Sequence, residues 1–462
     1  MTTTENRYLD GNFGPVAEET TAFDLPVTGT LPDALDGRYL RNGPNPVAPV
    51  DPLLHHWFVG TGMVHGLRLR GGKAEWYRSR YVLGDAAADT LDRPRVPGPR
   101  DAVFGGGSPN TNVIGAGGTT LAIVEAGGYP MELTDELESV RYHDLNGTWA
   151  GTFSAHPKLD PVTGELFVAA YSPLFGPEVS YQVISPDRRV THNQRIAVGD
   201  AIMLHDIAIT ETRAVIFDLP VTLSGEALEQ GYPLPYRWNP DHPARVGVLP
   251  RYGTADDLVW CEVSPCYVYH PMNAYDLADG RIVLDVCRHP KMFATDRNGP
   301  FEGPPVVERW TIDPVAGKVH EERLDDTSQE FPRVDERLVG RPHRYGYTAA
   351  FGTSGPEHRG LTKWDLHAGT STGHDFGPGR SSGEAVFIPR TPHAAEDDGW
   401  IMSLVHDRAA DRSELVILDA QDFAGLPVAT VHLPVRVPYG FHGNWVPAPG
   451  WPPGGTSCPV VR

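Results

Sequence analysis

The sequence predicts an all-β protein, and two features of the chain point to this class. Its 462 residues include 50 glycines and 44 prolines. Their combined share is well above the average of about 12%, and this abundance of helix-breaking residues disfavours helical bundles and coiled coils. Short runs rich in β-branched residues recur along the chain, and turn motifs lie between them. Hydrophobic residues make up 40% and charged residues 21%, a composition typical of a globular protein with a large core.

Five runs have the length and β-branched content of strands, namely residues 119–124, 165–170, 213–217, 281–286 and 414–418. Residues 160–164 and 313–317 share a turn pattern that begins with Asp-Pro and ends with Gly. In this pattern proline presets φ and glycine takes the positive-φ corner. Asp279-Gly280 is a further hairpin signal. We therefore expect short strands joined by tight turns.

The strands are expected to form a single domain spanning residues 1–462, because no stretch has the composition of an interdomain linker. A β-propeller fits this length, since four-stranded blades of roughly 45–65 residues would give seven blades. The sequence contains no repeated consensus of the Trp-Asp or kelch kind, so repeats do not set the blade count. An array of β-sandwiches remains the alternative.

Charge and cysteine content exclude several functional classes. The formal charge is −20, from 39 basic and 59 acidic residues, which argues against a nucleic-acid partner because phosphate binding needs a basic face. The first 22 residues lack the features of a signal peptide, and no apolar run reaches 18 residues, so a cytoplasmic protein without a membrane span is expected. Cys261, Cys266, Cys287 and Cys458 are too few for a disulfide framework and are expected to be ordinary reduced cysteines.

Four of the 19 histidines lie in or beside apolar or aromatic runs, where a buried imidazole needs a partner. They are His156, His205, His270 and His442. The gaps between them are 49, 65 and 172 residues, and the first two match one blade each. Equivalent positions on successive blades would bring the imidazoles together on a central axis, where they suit iron, copper or zinc. The alternative is four core histidines, each hydrogen-bonded separately.

Histidines that bind a metal usually donate their second ring N–H to a carboxylate. Three glutamates are embedded in apolar surroundings and are candidates for this role, Glu125, Glu330 and Glu384. An acidic residue on a strand otherwise tends to face solvent. Glu125 departs most from that expectation, because it follows four apolar residues.

Seven short motifs follow one another along nearly the whole chain. They are LDGRYLRNGPNP at 35–46, HWFVGTGMVH at 56–65, NTNV at 110–113, FSAHP at 153–157, LHD at 204–206, EFP at 330–332 and FHG at 441–443. In this order they resemble the carotenoid cleavage oxygenases, the family that also contains the retinal pigment epithelium isomerase and bacterial stilbene-cleaving dioxygenases.

The resemblance implies a seven-bladed β-propeller with loops capping a non-haem Fe(II) on its axis. The metal ligands that it implies are His156, His205, His270 and His442. The glutamate partners that it implies are Glu125 for His205, Glu330 for His270 and Glu384 for His442. Thr111 matches the position whose methyl group crowds one vacant coordination site in family members.

Two positions depart from the family pattern. Val59 stands where the family has an aspartate, a position that we interpret as structural. In stilbene-cleaving members a lysine beside the first glutamate of the outer shell binds a phenolic hydroxyl, and here that neighbour is Val124. The five lysines of the chain stand at 73, 158, 291, 318 and 363, none of them near Glu125 in sequence. This weakens the case for a site that recognises phenolates.

The resemblance therefore implies an Fe(II)- and O2-dependent dioxygenase that cleaves a double bond of a carotenoid or apocarotenoid to two carbonyl products. The same cleavage of stilbenoid or phenylpropenoid substrates is one alternative, and a propeller that binds a ligand without turnover is another. O2 and an apolar alkene are the expected partners. An apolar tunnel entrance would also bring peripheral contact with a membrane, although no amphipathic cationic helix in the sequence predicts one.

Overall fold

The computed structural model describes residues 6–102, 105–300, 302–351 and 358–450, and strands dominate it. The first strands are β1 (Thr21–Phe23), β2 (Val27–Gly29), β3 (Gly37–Pro44), β4 (Gly62–Arg70), β5 (Lys73–Tyr81), β6 (Asn112–Ala116), β7 (Thr119–Ile123), β8 (Met131–Leu133), β9 (Ser139–Tyr142), β10 (Lys158–Leu159) and β11 (Leu166–Tyr171). They continue as β12 (Glu178–Ile184), β13 (Val190–Ala197), β14 (Ile207–Ile209), β15 (Arg213–Asp218), β16 (Val221–Leu223), β17 (Tyr236–Trp238), β18 (Arg245–Pro250), β19 (Val259–Glu262), β20 (Tyr267–Asp276), β21 (Ile282–His289) and β22 (Val306–Asp313). The last are β23 (Lys318–Arg323), β24 (Gln329–Arg333), β25 (Tyr345–Phe351), β26 (His358–Asp365), β27 (Thr370–Asp375), β28 (Arg380–Ser382), β29 (Val386–Pro389), β30 (Gly399–Asp407), β31 (Arg412–Asp419), β32 (Ala429–His432) and β33 (Gly443–Pro447).

Helices are few and short in the described part of the chain, as the all-β prediction requires. The α-helices are α1 (Asp85–Thr90) and α2 (Gly225–Glu229). Single 3-10 turns stand at Arg7–Leu9, Gly11–Phe13, Pro173–Phe175, Ala255–Asp257 and Glu336–Leu338. Across the described residues, no helix combines the length and the hydrophobicity that crossing a bilayer demands.

The predicted strands and turns are confirmed. The five runs that the sequence singles out correspond to β7, β11, β15, β21 and β31. In the turn before β11, Asp160 accepts hydrogen bonds from the next backbone N–H groups, and Gly164 has φ +71°. Asp313 and Gly317, with φ +64°, repeat this turn before β23. The side chain of the aspartate thus fixes the chain reversal that proline and glycine allow.

The strands pair into antiparallel sheets arranged like the blades of a propeller. The sheet orders are β1-β5-β4-β3-β33, β6-β7-β8-β9, β10-β11-β12-β13, β14-β15-β18-β19-β23-β22-β21-β20, β24-β25-β26-β27 and β2-β32-β31-β30-β28, with β29 also on β30 and a separate β16-β17 ribbon. The eight-stranded sheet is joined at its middle by a single parallel pair, Glu262 with Lys318. The all-β, propeller-like class is therefore confirmed.

Edge strands contact one another around a centre. β10 lies against β14, β14 against β20, and β20 against β24, while β33 lies against β6. Each of these strands lies at the edge of a sheet, with β14 and β20 at the two edges of the eight-stranded sheet. The short connections that enter and leave them therefore meet near one axis.

Strands from the two ends of the chain share sheets. β33 pairs with β3, in a register that places Gly443 opposite Arg41 and Pro447 opposite Gly37. β2 pairs with β32, with Val27 opposite Val431. Two sheets thus each combine an early and a late segment, and their hydrogen bonds close the ring.

Apolar side chains fill the space between the sheets. Trp310 and Trp364 belong to the largest buried cluster, which runs from β11 to β26, and both are almost completely buried. Cys261, Cys266 and Cys287 are also buried and form no disulfide, as predicted, whereas Cys458 lies outside the described residues. Burial of this apolar area supplies the main driving force for folding.

Candidate metal centre

The four histidines singled out by the sequence lie on or beside edge strands near the axis. His156 and His205 precede β10 and β14, His270 lies within β20, and His442 immediately precedes β33. The chain therefore supplies one imidazole from each of four sheet edges. The structure brings all four together.

The geometry of the cluster is compact. The Nε2 atoms of His156 and His205 are 3.0 Å apart, those of His205 and His270 are 3.1 Å apart, and those of His270 and His442 are 3.2 Å apart. Two nitrogens bound to one ion at about 2.1 Å and at right angles would lie about 3.0 Å apart. The spacing of the four nitrogens therefore fits one metal ion.

The three predicted glutamates contact the outer nitrogens of three of these histidines. Nδ1 of His205 lies 2.5 Å from Oε2 of Glu125. The corresponding distances are 2.6 Å from His270 to Glu330 and 3.1 Å from His442 to Glu384. These are the pairs that the resemblance implies, and each carboxylate accepts a hydrogen bond from a ring N–H.

These hydrogen bonds determine which form of each ring nitrogen faces the centre. A neutral imidazole that donates its Nδ1–H to a carboxylate has only a lone pair on Nε2. Lone pairs on nitrogens about 3 Å apart repel one another unless a cation lies among them. The donor set itself therefore fits a first-row metal, and neutral imidazoles suit iron, copper or zinc.

Burial controls the charge of the cluster. Burial, together with the three neighbouring imidazoles, holds the pKa of His156 well below its ordinary value. Burial also lowers the pKa of His270 to about 4, against the opposing effect of Glu330, and it lowers the pKa of His442. At His205 burial is outweighed by Glu125, which raises the pKa. His156, His270 and His442 are therefore neutral at pH 7, the form that binds metal.

The carboxylates of Glu330 and Glu384 stay ionised although they are buried. Burial alone would raise the pKa of Glu384, but Arg333 and His442 bring it down to about 2. Against the same effect of burial, His270 and His289 hold the pKa of Glu330 below its usual range. These negative charges partly offset a cation held by neutral ligands.

His156 differs from the other three because its nearest carboxylate belongs to Asp206, 3.7 Å from Nδ1. Asp206 is buried and forms a 2.8 Å ion pair with Lys158. Asp206 belongs to the LHD motif, but the motif does not reveal its role, because its partner Lys158 lies 48 residues away in sequence. This pair is a functional candidate that sequence reasoning missed.

Other partners of the glutamates were also missed. Arg333 binds Glu384 at 2.8 Å, and His289 donates to Glu330 at 2.8 Å. The hydroxyl of Tyr171 donates to Glu125 at 3.0 Å. None of these residues stands near its partner in sequence, and no local pattern marks them.

Thr111 lies where the cluster meets a cavity. Its hydroxyl donates to Asn110, and its backbone carbonyl accepts a hydrogen bond from the N–H of His442. It lines the same cavity as His205 and His442. The backbone of Thr111 is thus tied directly to one candidate ligand.

An apolar cavity of about 360 Å3 reaches the cluster from one side. Its wall includes His205, His270 and His442, and it also includes Val124 beside Glu125. Aromatic and apolar residues make up most of the rest, among them Trp57, Phe58, Tyr269, Phe331, Phe351 and Phe441. Such a cavity fits an extended apolar ligand next to the centre.

A second cavity, of about 380 Å3, lies on another side of the cluster. It touches His156, His270 and His442, and Lys158, Asp206 and Arg333 line it. Its wall is therefore more polar than that of the first cavity. The histidine cluster thus lies between an apolar space and a more polar one.

Comparisons with known proteins cover nearly the whole chain. The family model described as "Retinal pigment epithelial membrane protein" matches residues 13–447. A protein of Mycobacterium tuberculosis named "Carotenoid cleavage oxygenase" is 44% identical over 96% of this chain and 98% of its own length.

Solved structures agree with the sequence comparison. The lignostilbene dioxygenase of Pseudomonas brassicacearum superimposes with a TM-score of 0.86 at 31% identity, over 96% of this chain and 98% of that one. The cobalt-substituted ACO of Synechocystis superimposes with a TM-score of 0.84 at 29% identity, over 94% of this chain and 97% of that one.

Proposed function

Because this chain belongs to the carotenoid cleavage oxygenase family, we propose that it is an Fe(II)-dependent dioxygenase that cleaves an alkene double bond of a carotenoid or apocarotenoid. Both atoms of O2 enter the two carbonyl products. The observation that carries the proposal is the convergence of four Nε2 atoms at the inner end of an apolar cavity. A metal centre beside a dry alkene site is what this reaction requires.

His156, His205, His270 and His442 would hold the iron, and Glu125, Glu330 and Glu384 would fix the rings of the last three. When bound, Fe(II) supplies the activation of O2. The chain's residues orient the alkene, exclude water through the apolar wall and keep the imidazoles in the metal-binding tautomer. We propose that the methyl group of Thr111 crowds one vacant coordination site of the metal.

The test is a panel of substrates with iron-loaded protein, in which O2 uptake is measured and products are identified by mass. We expect one O2 consumed per alkene cleaved and two carbonyl products. Replacing His270 by Ala should remove most iron and activity. Binding of the alkene without O2 uptake would instead establish a propeller that binds its ligand without turnover.

Cleavage of stilbenoids or phenylpropenoids is the second candidate, because a lignostilbene dioxygenase is among the similar structures. Val124 in the cavity wall argues against it, since it offers no charged partner for a phenol. Apolar burial at about 25 cal/mol per Å2 favours a long polyene over a small stilbene. A higher kcat/KM for a 4-hydroxystilbene than for an apocarotenal would reverse this order.

For the fold we propose one domain of seven blades. The eight-stranded sheet divides into β14-β15-β18-β19 and β20-β21-β22-β23, because only the Glu262–Lys318 pair joins the halves. With the five other large sheets this division makes seven. A single cooperative transition in calorimetry is the expected signature of one domain.

We also propose peripheral contact with a membrane at the mouth of the apolar cavity. Exposed Leu54 lies in the same surface groove as Leu234, and exposed Leu174 follows Pro173 in sequence. Leu234 and Pro173 both line the cavity. Flotation with phosphatidylcholine vesicles tests this proposal, and a double substitution of Leu54 and Leu174 by Ser should weaken the association. Unchanged flotation would contradict it.

A further inference from the structure

The polar groups in the wall of the apolar cavity are mostly satisfied by the protein itself. Asn110 donates to the carbonyls of Phe58 and Gly60. The hydroxyl of Ser108 donates to the carbonyl of Val82, and that of Tyr171 donates to Glu125. These groups need nothing from a ligand.

Three residues of the same wall each carry one buried polar atom that has no hydrogen-bonding partner within the described part of the chain. These atoms are the hydroxyls of Tyr236 and Tyr269 and Nδ1 of His289. Tyr236 and Tyr269 are only 3% and 5% exposed. A buried polar group without a partner costs about 1–3 kcal/mol, and native structures contain few of them.

The two tyrosines lie on the His205 side of the centre. The ring of Tyr269 is 5.3 Å from that of His205 and 6.0 Å from that of His270, between centroids. Tyr236 packs edge-on against Tyr171, at 5.8 Å, and Tyr171 binds the carboxylate that holds His205. Tyr269 thus lies directly beside the centre, and Tyr236 is linked to it through Tyr171 and Glu125.

The chemistry of these atoms is that of a hydrogen-bonding pocket for oxygen. The phenol of a tyrosine ordinarily keeps its proton at neutral pH, so each hydroxyl can donate a hydrogen bond. Nε2 of His289 contacts Glu330 at 2.8 Å, and a carboxylate only accepts, so Nδ1 of His289 is left as an acceptor.

We propose that the hydroxyls of Tyr236 and Tyr269 donate hydrogen bonds to an oxygen atom of the substrate, and that the cavity therefore selects alkenes that carry a carbonyl or hydroxyl group near the reacting bond. This inference rests on the proposed function and narrows its substrate class. Hydrocarbon polyenes would fill the same cavity and leave both hydroxyls unpaired.

The test compares three matched ligands, a polyene aldehyde, the corresponding alcohol and the corresponding hydrocarbon. Dissociation constants are measured on the Fe(II)-loaded protein without O2, from the quenching of tryptophan fluorescence. We expect the aldehyde or the alcohol to bind about tenfold more tightly than the hydrocarbon. Tighter binding of the alcohol than of the aldehyde would show that Nδ1 of His289 accepts a hydrogen bond from the hydroxyl of the alcohol.

Variants of the two tyrosines separate the role of their hydroxyls in ligand recognition from the role of their rings in packing. Tyr236→Phe and Tyr269→Phe should each reduce the preference for the oxygenated ligand about three- to tenfold while leaving the affinity for the hydrocarbon unchanged. Both should also raise the thermal midpoint of the free protein, because each removes an unpaired buried hydroxyl. The matched control is Tyr347→Phe, whose buried hydroxyl is likewise unpaired but lies in a blade core. It should raise the midpoint without changing any preference.

Equal affinity of the native protein for the oxygenated and hydrocarbon ligands would overturn the inference without any variant. A lower midpoint in both cavity variants would also overturn it, because the hydroxyls would then be satisfied by bound water. Admission of O2 tests the proposed function separately. Selective binding without cleavage would reject the dioxygenase and leave the hydrogen-bonding pocket in place.

Discussion

At the scale of single residues, the hydrogen bonds that Glu330 and Glu384 accept orient two of the four imidazoles of the centre. Both oxygens of Glu330 accept hydrogen bonds from imidazoles, one from His270 and one from His289. Glu384 likewise divides its oxygens between His442 and Arg333. Each carboxylate therefore accepts from donors at both oxygens, and an amide in its place would direct an N–H at one of them.

We predict that Glu330→Gln and Glu384→Gln lower iron affinity roughly 10–100-fold, the usual cost of losing a carboxylate behind a ligating imidazole. Metal content after dialysis against graded Fe(II) concentrations measures this effect. The control is Glu211→Gln, since Glu211 is an exposed partner of Arg341. If Glu384→Gln keeps full iron occupancy and turnover, the assignment of Glu384 to the metal centre is wrong.

The side chain at position 124 decides how the cavity treats a phenol. Val124 lies in the cavity wall next to Glu125. We predict that Val124→Lys shifts the ratio of kcat/KM values from apocarotenals toward 4-hydroxystilbenes, because an ammonium there can bind a phenolic oxygen. Val124→Leu is the matched control and should leave the ratio in favour of the polyene. An unchanged ratio in the lysine variant would show that this position does not contact the phenol.

Residues of the centre differ in how well the sequence predicts them. The histidines stand out because apolar runs surround them, and Glu125 stands out because it follows four apolar residues. The roles of Asp206, Arg333 and His289 cannot be predicted in this way, because their partners lie 41 to 51 residues away. Hydrogen bonds across blades leave no periodicity along the chain.

At the scale of elements, Arg333 links three segments of the chain. It ends β24, binds Glu384 between β28 and β29, and donates to the carbonyl of Gly443 at the start of β33. It also contacts Glu336 and Asn444. One guanidinium thus holds the carboxylate of the centre and the strand that follows His442.

We predict that Arg333→Ala lowers the free energy of unfolding by about 3–5 kcal/mol, because it leaves the buried charge of Glu384 unpaired. Urea unfolding measures this loss. The control is Arg323→Ala, since Arg323 forms an exposed pair with Asp326 and should contribute less than about 1 kcal/mol. Equal effects of the two substitutions would contradict a structural role for Arg333.

The sequence predicts single strands better than their long-range pairing. β7 and β31 follow from local β-branched content, and the turn at Asp160 follows from its Pro and Gly. The pairing of β3 with β33 joins segments about 400 residues apart, and neither segment shows in its own composition which strand it will meet. The same holds for the blade count, which depends on where the eight-stranded sheet divides.

At the scale of the whole molecule, the seam between β3 and β33 joins the two ends of the chain beside one candidate ligand, His442. Gly443 lies opposite Arg41 at this seam, directly after His442. A Cβ atom at Gly443 would meet the backbone oxygen of Leu40 at 2.6 Å. Any side chain there would therefore push β33 away from β3.

We predict that Gly443→Ala lowers both the thermal midpoint and the iron content, because displacing β33 also moves His442. Calorimetry and metal analysis of the same sample measure the two quantities. Gly373→Ala serves as the control, since a Cβ atom there meets nothing within 4 Å. Normal iron content in Gly443→Ala would show that the position of His442 does not depend on the seam.

The place of His442 in the chain also has a consequence for biosynthesis. Ribosomes deliver His156, His205 and His270 long before His442, which is separated from His270 by 172 residues, or on the order of ten to thirty seconds of translation. A nascent or truncated polypeptide therefore offers three imidazoles and an open ring. Under the proposed function, full affinity for the metal ion arises only after β33 has been synthesised and has docked, so metal loading reports that this strand is in place.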